Sequence, residues 1–342
     1  MSALHKSIVS LILIVSPAIL AADTPQGTVV CWGYEVGYDD APGKLKVLTI
    51  GGERVTNAIA VAAGDSHALA LRSDGTLVGW GVNMDCQAVG YASTNSDRAT
   101  GLVKIDGQVL SNVVAIAAGG NNSLALRRDG TVVGWGSHIV PTGLSNIASI
   151  ATGYYYSMGV KKDGTVLSLG GGDVGSWSLA HPGFSESEYA EYAAIFLGLG
   201  NSRSIEGLSN AVVVGIGVDL AFGSMALKRD GTVVQISLEN QLTGHQLLSN
   251  AIAISGGWDG LALKEDGTVV GWGTAGEVPP GLSNVVAISG GRRNNLALKR
   301  DGTLVMWGGF SPRDLAVPTG LRNVVAISVG QGFFMAITTS PP

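Results

Sequence analysis

The residue types that could do chemistry are few, and they are poorly spaced for it. The histidines are His5, His67, His138, His181 and His245, and none has the HExxH or CxxC spacing of a zinc site. Cys31 lies inside the strand-like run GTVVCWG and Cys86 in a loop after GWGVNMD. Two thiols do not make a disulfide framework, and a bridge needs α-carbons within about 7 Å, which sequence cannot supply; the reading is two unpaired or buried thiols. A serine nucleophile would call for a G-x-S-x-G elbow and a phosphate loop for Gly-Lys-Ser or Gly-Lys-Thr, and neither is present. Glu186 and Glu188 are the nearest approach to paired carboxylates, but they fall on a short amphipathic run where a solvated face is the ordinary reading. The chain is therefore expected to be no enzyme and to need no cofactor or metal. The competing reading is a hydrolase or lyase whose site is assembled from distant segments at a channel mouth.

The chain's regularity is a repeat. Asp-Gly-Thr recurs at Asp74, Asp129, Asp163, Asp230, Asp266 and Asp301, with an incomplete version at Gln26-Gly27-Thr28. The run SDGT at 73–76 invites comparison with the Asp-box of sialidases, but the further spaced residues and aromatic of that motif are not lined up, so Asp-Gly is read as turn chemistry supplying positive φ to a tight hairpin. The other half of the repeat is an Asn followed by alternating small and branched residues and then Gly. It begins at Asn57, Asn112, Asn146, Asn210, Asn250, Asn284 and Asn323. Within a unit, VVAIAAG, SLALR and TVVGWG read as three short strands. Trp32, Trp80, Trp135, Trp272 and Trp307 share one position of the third strand, suited to a wide outer gap, and Leu169 and Ile236 occupy it in the remaining copies.

The order of the halves predicts the architecture. The chain begins with a lone GTVVCWG and ends with a lone NVVAISVGQGFFMAI, and together the two ends complete one unit. The expectation is an all-β, seven-bladed β-propeller closed by pairing the N- and C-terminal strands in one blade, which removes free sheet edges. Interruptions fall at about 82–111 and 171–209, the second containing SESEYAEYAAIFLG, with capping-box spacing from Ser185 to Glu188 and a helix or folded loop outside the ring expected.

The first residues carry a short start with Lys6, an apolar run from Ile8 to Val15, Pro17 and small residues at Ala21 and Ala22. Residues 1–22 are read as a cleaved export signal, too short to span a bilayer, and 23–342 as a single exported, monomeric propeller in the periplasm, on the cell surface or in the medium. The whole chain has a formal charge of −5, and removing Lys6 with the signal makes it −6. An acidic body without a basic run is a poor match to a phosphate backbone, so no nucleic-acid partner is expected.

The units, best displayed in GDSHALALRSDGTLVGWG at 64–81, resemble the repeat of the regulator of chromosome condensation superfamily from about Gly27 to Ile337. The resemblance implies a seven-bladed propeller, and it implies a structural hydrogen bond for His67. An exported acidic chain lacks the setting for the nuclear members' work on a small GTPase and on chromatin. It is closer to the exported bacterial branch, including a secreted β-lactamase-inhibitory propeller whose turns between first and second strands grip the partner enzyme. Those turns are where this sequence varies, and the residues expected to bind a partner are His67, Asn122, Tyr154, Tyr155, Tyr156, Trp258, Asp259, Arg292, Arg293 and Phe333. Tyr, Trp and Arg often anchor interfaces, although an aromatic at such a turn can instead pack over its own hairpin. The expected partner is another exported or surface protein, an enzyme-inhibitor role being the narrower form. A carbohydrate-binding propeller is the alternative; it should repeat similar pockets, whereas these turns differ strongly.

Overall fold

The computed structural model describes residues 25–33, 45–92, 97–137, 140–141, 143–153, 156–171, 203–205, 207–216, 224–236, 242–257, 260–272, 277–291, 294–309 and 316–340. Residues 1–22, the helix or folded loop expected near 185–198 and most of the 171–209 interruption lie outside them. All the regular structure described is β, arranged in seven main sheets, or blades.

Blade 1 comprises Ala58–Ala63, His67–Arg72, Leu77–Val82 and Arg98–Leu102. Blade 2 comprises Val113–Gly119, Asn122–Arg127 and Val132–Gly136, and blade 3 Ile147–Thr152, Tyr156–Lys161, Val166–Gly171 and Arg203–Ser204. Blade 4 has Ala211–Gly215, Ser224–Lys228, Val233–Ile236 and Leu242–Leu248; blade 5 has Ala251–Ser255, Gly260–Lys264 and Val269–Trp272. Blade 6 is built from Val285–Gly290, Asn294–Lys299 and Leu304–Gly308. Blade 7 joins the two ends of the chain: Val324–Val329 and Phe333–Thr338 pair onward with Thr28–Gly33 and Lys46–Val47. The register there runs from Thr28 opposite Thr338 to Gly33 opposite Phe333. Among the described residues four blades carry an outer fourth strand beyond the three that the repeat predicts, and in blade 1 it comes from the 82–111 interruption.

The first strands touch in a closed cycle, blade 1 to 2 and onward to blade 7, whose first strand meets that of blade 1. Each junction holds its own apolar core, and the third-strand position predicted to fill a gap does so. Trp80 lies in the 7/1 core, Trp135 in 1/2, Leu169 in 2/3, Ile236 in 3/4, Trp307 in 5/6 and Trp32 in 6/7, with Trp272 packed against 4/5.

The hairpin turns draw their positive φ from the glycine rather than from the Asp-Gly pair. Among Asp-Gly pairs only the glycine has positive φ, as at Gly75 with 81°. The Arg72 N–H donates to Thr76 O and the Gly75 N–H to Arg72 O, which makes a three-residue loop ending in a left-handed glycine. Asp74 Oδ1 accepts from both the N–H and the hydroxyl of Thr76, explaining why Asp and Thr flank the glycine. The seven repeat asparagines all have φ between 52° and 62°, a conformation Asn tolerates better than other side chains. There the chain stitches blades together. The Asn112 carbonyl accepts from Arg128 N–H in its own blade's turn, while the Val113 N–H donates to Gly75 O of the preceding blade.

Candidate functional site

The seven first strands line a central channel of about 240 Å³ walled by Ala, Gly, Ile, Val and Ser. At one end of it the first strand of each blade turns into the second. In blades 1, 3, 6 and 7 a glycine N–H donates back to the first carbonyl of the second strand, from Gly64 to His67, Gly153 to Tyr156, Gly291 to Asn294 and Gly330 to Phe333. A Cβ at Gly64 would lie 2.3 Å from the His67 ring, and one at Gly330 would lie 2.2 Å from that of Phe333. The glycine thus makes room for the next side chain to fold under the turn.

That geometry corrects four of the expected contact residues. His67, Asn122, Tyr156 and Phe333 are 0%, 1%, 9% and 1% exposed and are not presented to a partner. Each is the first residue of a second strand, two positions before a core residue, and period-two alternation turns it toward the neighbouring blade. Tyr156 lies in the 3/4 core with Met158, Val160 and Ile236, its hydroxyl bonded to Ser224 Oγ; the ring supplies volume where Ile236 stands in place of a tryptophan. Phe333 packs with Met335 and Ile337 in the 7/1 core. The Asn122 amide donates to Gly153 O of blade 3.

His67 Nε2 lies 2.9 Å from Ser123 Oγ of blade 2, but this pair is no hydrolytic dyad. Both residues are fully buried, and the Ser123 hydroxyl donates to Gln87 O. Burial lowers the imidazole pKa to about 4, opposed by a bond to the Asn122 backbone, so the ring is neutral at pH 7. Cys31 and Cys86 are both free, and burial raises the Cys31 thiol to about 11, far from the thiolate a nucleophile requires. Among the described residues no group of three or more His, Cys, Asp or Glu side chains is placed to hold a metal.

Tyr154, Tyr155, Trp258, Asp259, Arg292 and Arg293 lie outside the described residues; Gly153, Gly257, Gly260, Gly291 and Asn294, which bracket them, are described. The described residues of this mouth that reach solvent include Asp65, Ser66, Asn121 and Gln331. Sequence reasoning passes over a further component, the segment from Asn83 to Tyr91, which straps blade 1 to blade 2. Asn83 Oδ1 accepts from the N–H groups of Ala88 and Val89. Gln87 O accepts from Trp135 Nε1 as well as from Ser123, and Asp85 Oδ2 accepts from Asn121 and Ser137. The strap places Met84, 71% exposed, close in the chain to this polar cluster. Its only sequence signal is a run of polar residues directly after a tryptophan strand.

The family model of the regulator of chromosome condensation (RCC1) repeat matches residues 58–86 and 113–138, within blades 1 and 2. Prp20p of Saccharomyces cerevisiae has a similar structure, with a TM-score of 0.66 at 17% identity over 100% of this chain and 96% of that one. Human WBSCR16 gives 0.63 at 16% identity, covering 92% and 100% of the two chains. The ectodomain of the Arabidopsis thaliana receptor kinase ACR4 gives 0.54 at 17% identity, covering 82% and 91%. The Rho GTPase-activating protein gacGG of Dictyostelium discoideum is 35% identical over 118 residues, which are 34% of this chain and only 9% of that protein.

Proposed function

We propose that this RCC1-repeat propeller is a non-catalytic, exported protein-binding module that holds its partner with the ring of first-to-second-strand turns at one channel mouth. The observation that carries this reading is the contrast between the two ends of the blades. Six of the seven hairpin turns keep Asp-Gly-Thr, whereas the turns at the mouth share little beyond their glycine. A scaffold held constant by its packing leaves such turns free to be chosen for contact. With the four buried residues withdrawn, the contact set is Tyr154, Tyr155, Trp258, Asp259, Arg292 and Arg293, joined by Asn121, Gln331 and Met84. Support comes from solved relatives. Yeast Prp20 is described as bound to Kap60 and as binding Gsp1p and histones, and the ACR4 propeller is part of a receptor ectodomain.

The test is an affinity capture of exported proteins by the chain beside a variant carrying Tyr154→Ser, Tyr155→Ser and Trp258→Ser, both checked for folding by circular dichroism. A protein held by the first and lost by the second is the expected result. Equal capture by both would sink the reading, and retention on immobilised glycans instead would favour the lectin alternative. If the captured partner is an enzyme, its activity should fall on titration with the propeller.

A further inference from the structure

The opposite end of the blades is chemically distinct from the mouth. Each hairpin turn that carries Asp-Gly-Thr is preceded by basic residues: Arg72, then Arg127 with Arg128, Lys161 with Lys162, Lys228 with Arg229, Lys264, and Lys299 with Arg300. Arg322, just before Asn323, adds another beside the blade 7 stitch. Half of the chain's 21 basic residues thus stand on one face of a protein whose formal charge is −5. The acids of the same turns are Asp74, Asp129, Asp163, Asp230, Asp266, Asp301 and Glu265. The connecting hairpins of this end cancel, with Glu53 beside Arg54 and Lys104 close to Asp106. Among the described residues, eleven cations against seven anions leave this face at +4, in a chain whose formal charge is −5.

The two basic positions of a turn do different things. The first is half-buried and lies against its own turn's Asp, as Lys264 does at 3.6 Å from Asp266. The second is exposed: Arg128, Lys162, Arg229 and Arg300, joined by exposed Arg322. Each of the six aspartates has Oδ1 bonded to the threonine of its own turn, which holds the acids close to the backbone.

We propose that this hairpin face docks the propeller on a planar anionic surface, the headgroup layer of a bilayer rich in anionic lipid. The exposed cations come from blades 2, 3, 4, 6 and 7, so they are spread around the channel axis at one level rather than along a groove. That distribution fits a plane better than a linear polymer. None of the described aromatic side chains belongs to these turns, so the face offers no platform on which bases could stack. The described acids of the mouth, Asp65 and Asp85, do not cancel the attraction, because strands of about six residues set the two ends roughly 20 Å apart, more than twice the Debye length of about 8 Å at physiological ionic strength. Docked this way, the variable mouth faces away from the lipid, toward whatever it binds.

The experiment is sedimentation of the full chain with vesicles of phosphatidylcholine alone and with phosphatidylglycerol added. It is repeated with the variant Arg128→Gln, Lys162→Gln, Arg229→Gln, Arg300→Gln. The stitches at these positions use main-chain N–H groups and survive the change. A control with the same net charge change places acids elsewhere, at Ser66→Glu, Met84→Glu, Ala92→Glu and Thr100→Glu. Binding is expected to anionic vesicles only, to weaken with salt, and to fall by roughly fivefold for each cation removed, while the control binds nearly as the parent does. Equal binding to neutral vesicles, an unchanged quadruple variant, an equally weakened control, or tighter binding to duplex DNA than to vesicles would each overturn the proposal. The capture variant at Tyr154, Tyr155 and Trp258 should bind vesicles normally, which separates this result from that of the mouth.

Discussion

The junction between blades 1 and 2 and that between blades 3 and 4 solve one packing problem in opposite directions. At 1/2 the large aromatic is Trp135, which comes from the third strand of blade 2 and fixes its indole N–H on Gln87 O of the strap. At 3/4 that position holds Ile236, and the aromatic is Tyr156, reaching forward from the second strand of blade 3 to Ser224 of blade 4. In the first junction the place occupied by Tyr156 in the second belongs to His67, a smaller ring bonded across to Ser123. The ring therefore demands volume at each junction but does not dictate which strand supplies it. An aromatic residue in a repeat copy is consequently ambiguous until its counterpart in the neighbouring copy is known.

The largest expected effect tests that exchange. Tyr156→Ala should cost about 3–5 kcal/mol, the range for emptying a large aromatic from a packed core, with a further loss from Ser224 left without its partner. Trp135→Ala should fall in the same range. Adding Ile236→Trp to Tyr156→Ala should recover a substantial part of the loss, because the missing volume returns from the other blade. Urea unfolding midpoints of the single and double variants measure this, and a double variant no more stable than Tyr156→Ala would show that the two positions do not share one gap.

The second effect belongs to the 1/2 junction and should be missing from 3/4. The His67 pKa is about 4 when folded, against the ordinary 6.5 of an exposed imidazole, so the unfolded chain binds the proton more readily. The resulting stability is fully present above pH 6.5 and is lost as pH falls from there through about 4, a total of about 3 kcal/mol. His67→Asn, which installs the residue found at the equivalent place in blade 2, should flatten that part of the pH profile without moving the rest. A profile unchanged by the substitution would mean that protonation of His67 is not what the acid limb reports.

Much of this is legible in the sequence because a repeat exposes its own logic. The odd strand at each end points to the ring closure, and the tryptophan column marks the junction cores, including the two copies that lack it. The contact residues mislead at a particular point: His67, Asn122, Tyr156 and Phe333 read as the end of a turn when they are the start of a strand. Counting back by twos from Leu69, Leu124, Met158 and Met335 reaches each of them and puts them inside. The strap is hidden for another reason. Gln87 anchors Ser123 and Trp135 through its backbone carbonyl, an atom every residue has, so no side-chain pattern announces it. The basic face is inconspicuous along the chain because its residues are spaced a repeat apart and form no run.

The smallest effect tests what the two junctions should share. At the hairpin end their stitches are the same: Asn112 and Asn210 both have φ of 59°, both accept from the following turn of their own blade, and the residue after each donates to the preceding blade's turn glycine. A left-handed backbone costs an ordinary L-residue about 1–2 kcal/mol, and asparagine less. Asn112→Ala and Asn210→Ala should therefore each lower stability by about 1 kcal/mol, and the corresponding glycine variants should cost little, because glycine adopts this conformation readily. Since nothing in the stitch depends on the aromatic above it, the two alanine variants should agree within about 0.5 kcal/mol and add in combination, as distant independent sites do. If Asn210→Ala proves the costlier, the junction that lacks its tryptophan leans harder on its backbone, and the core and the stitch are one cooperative unit rather than two.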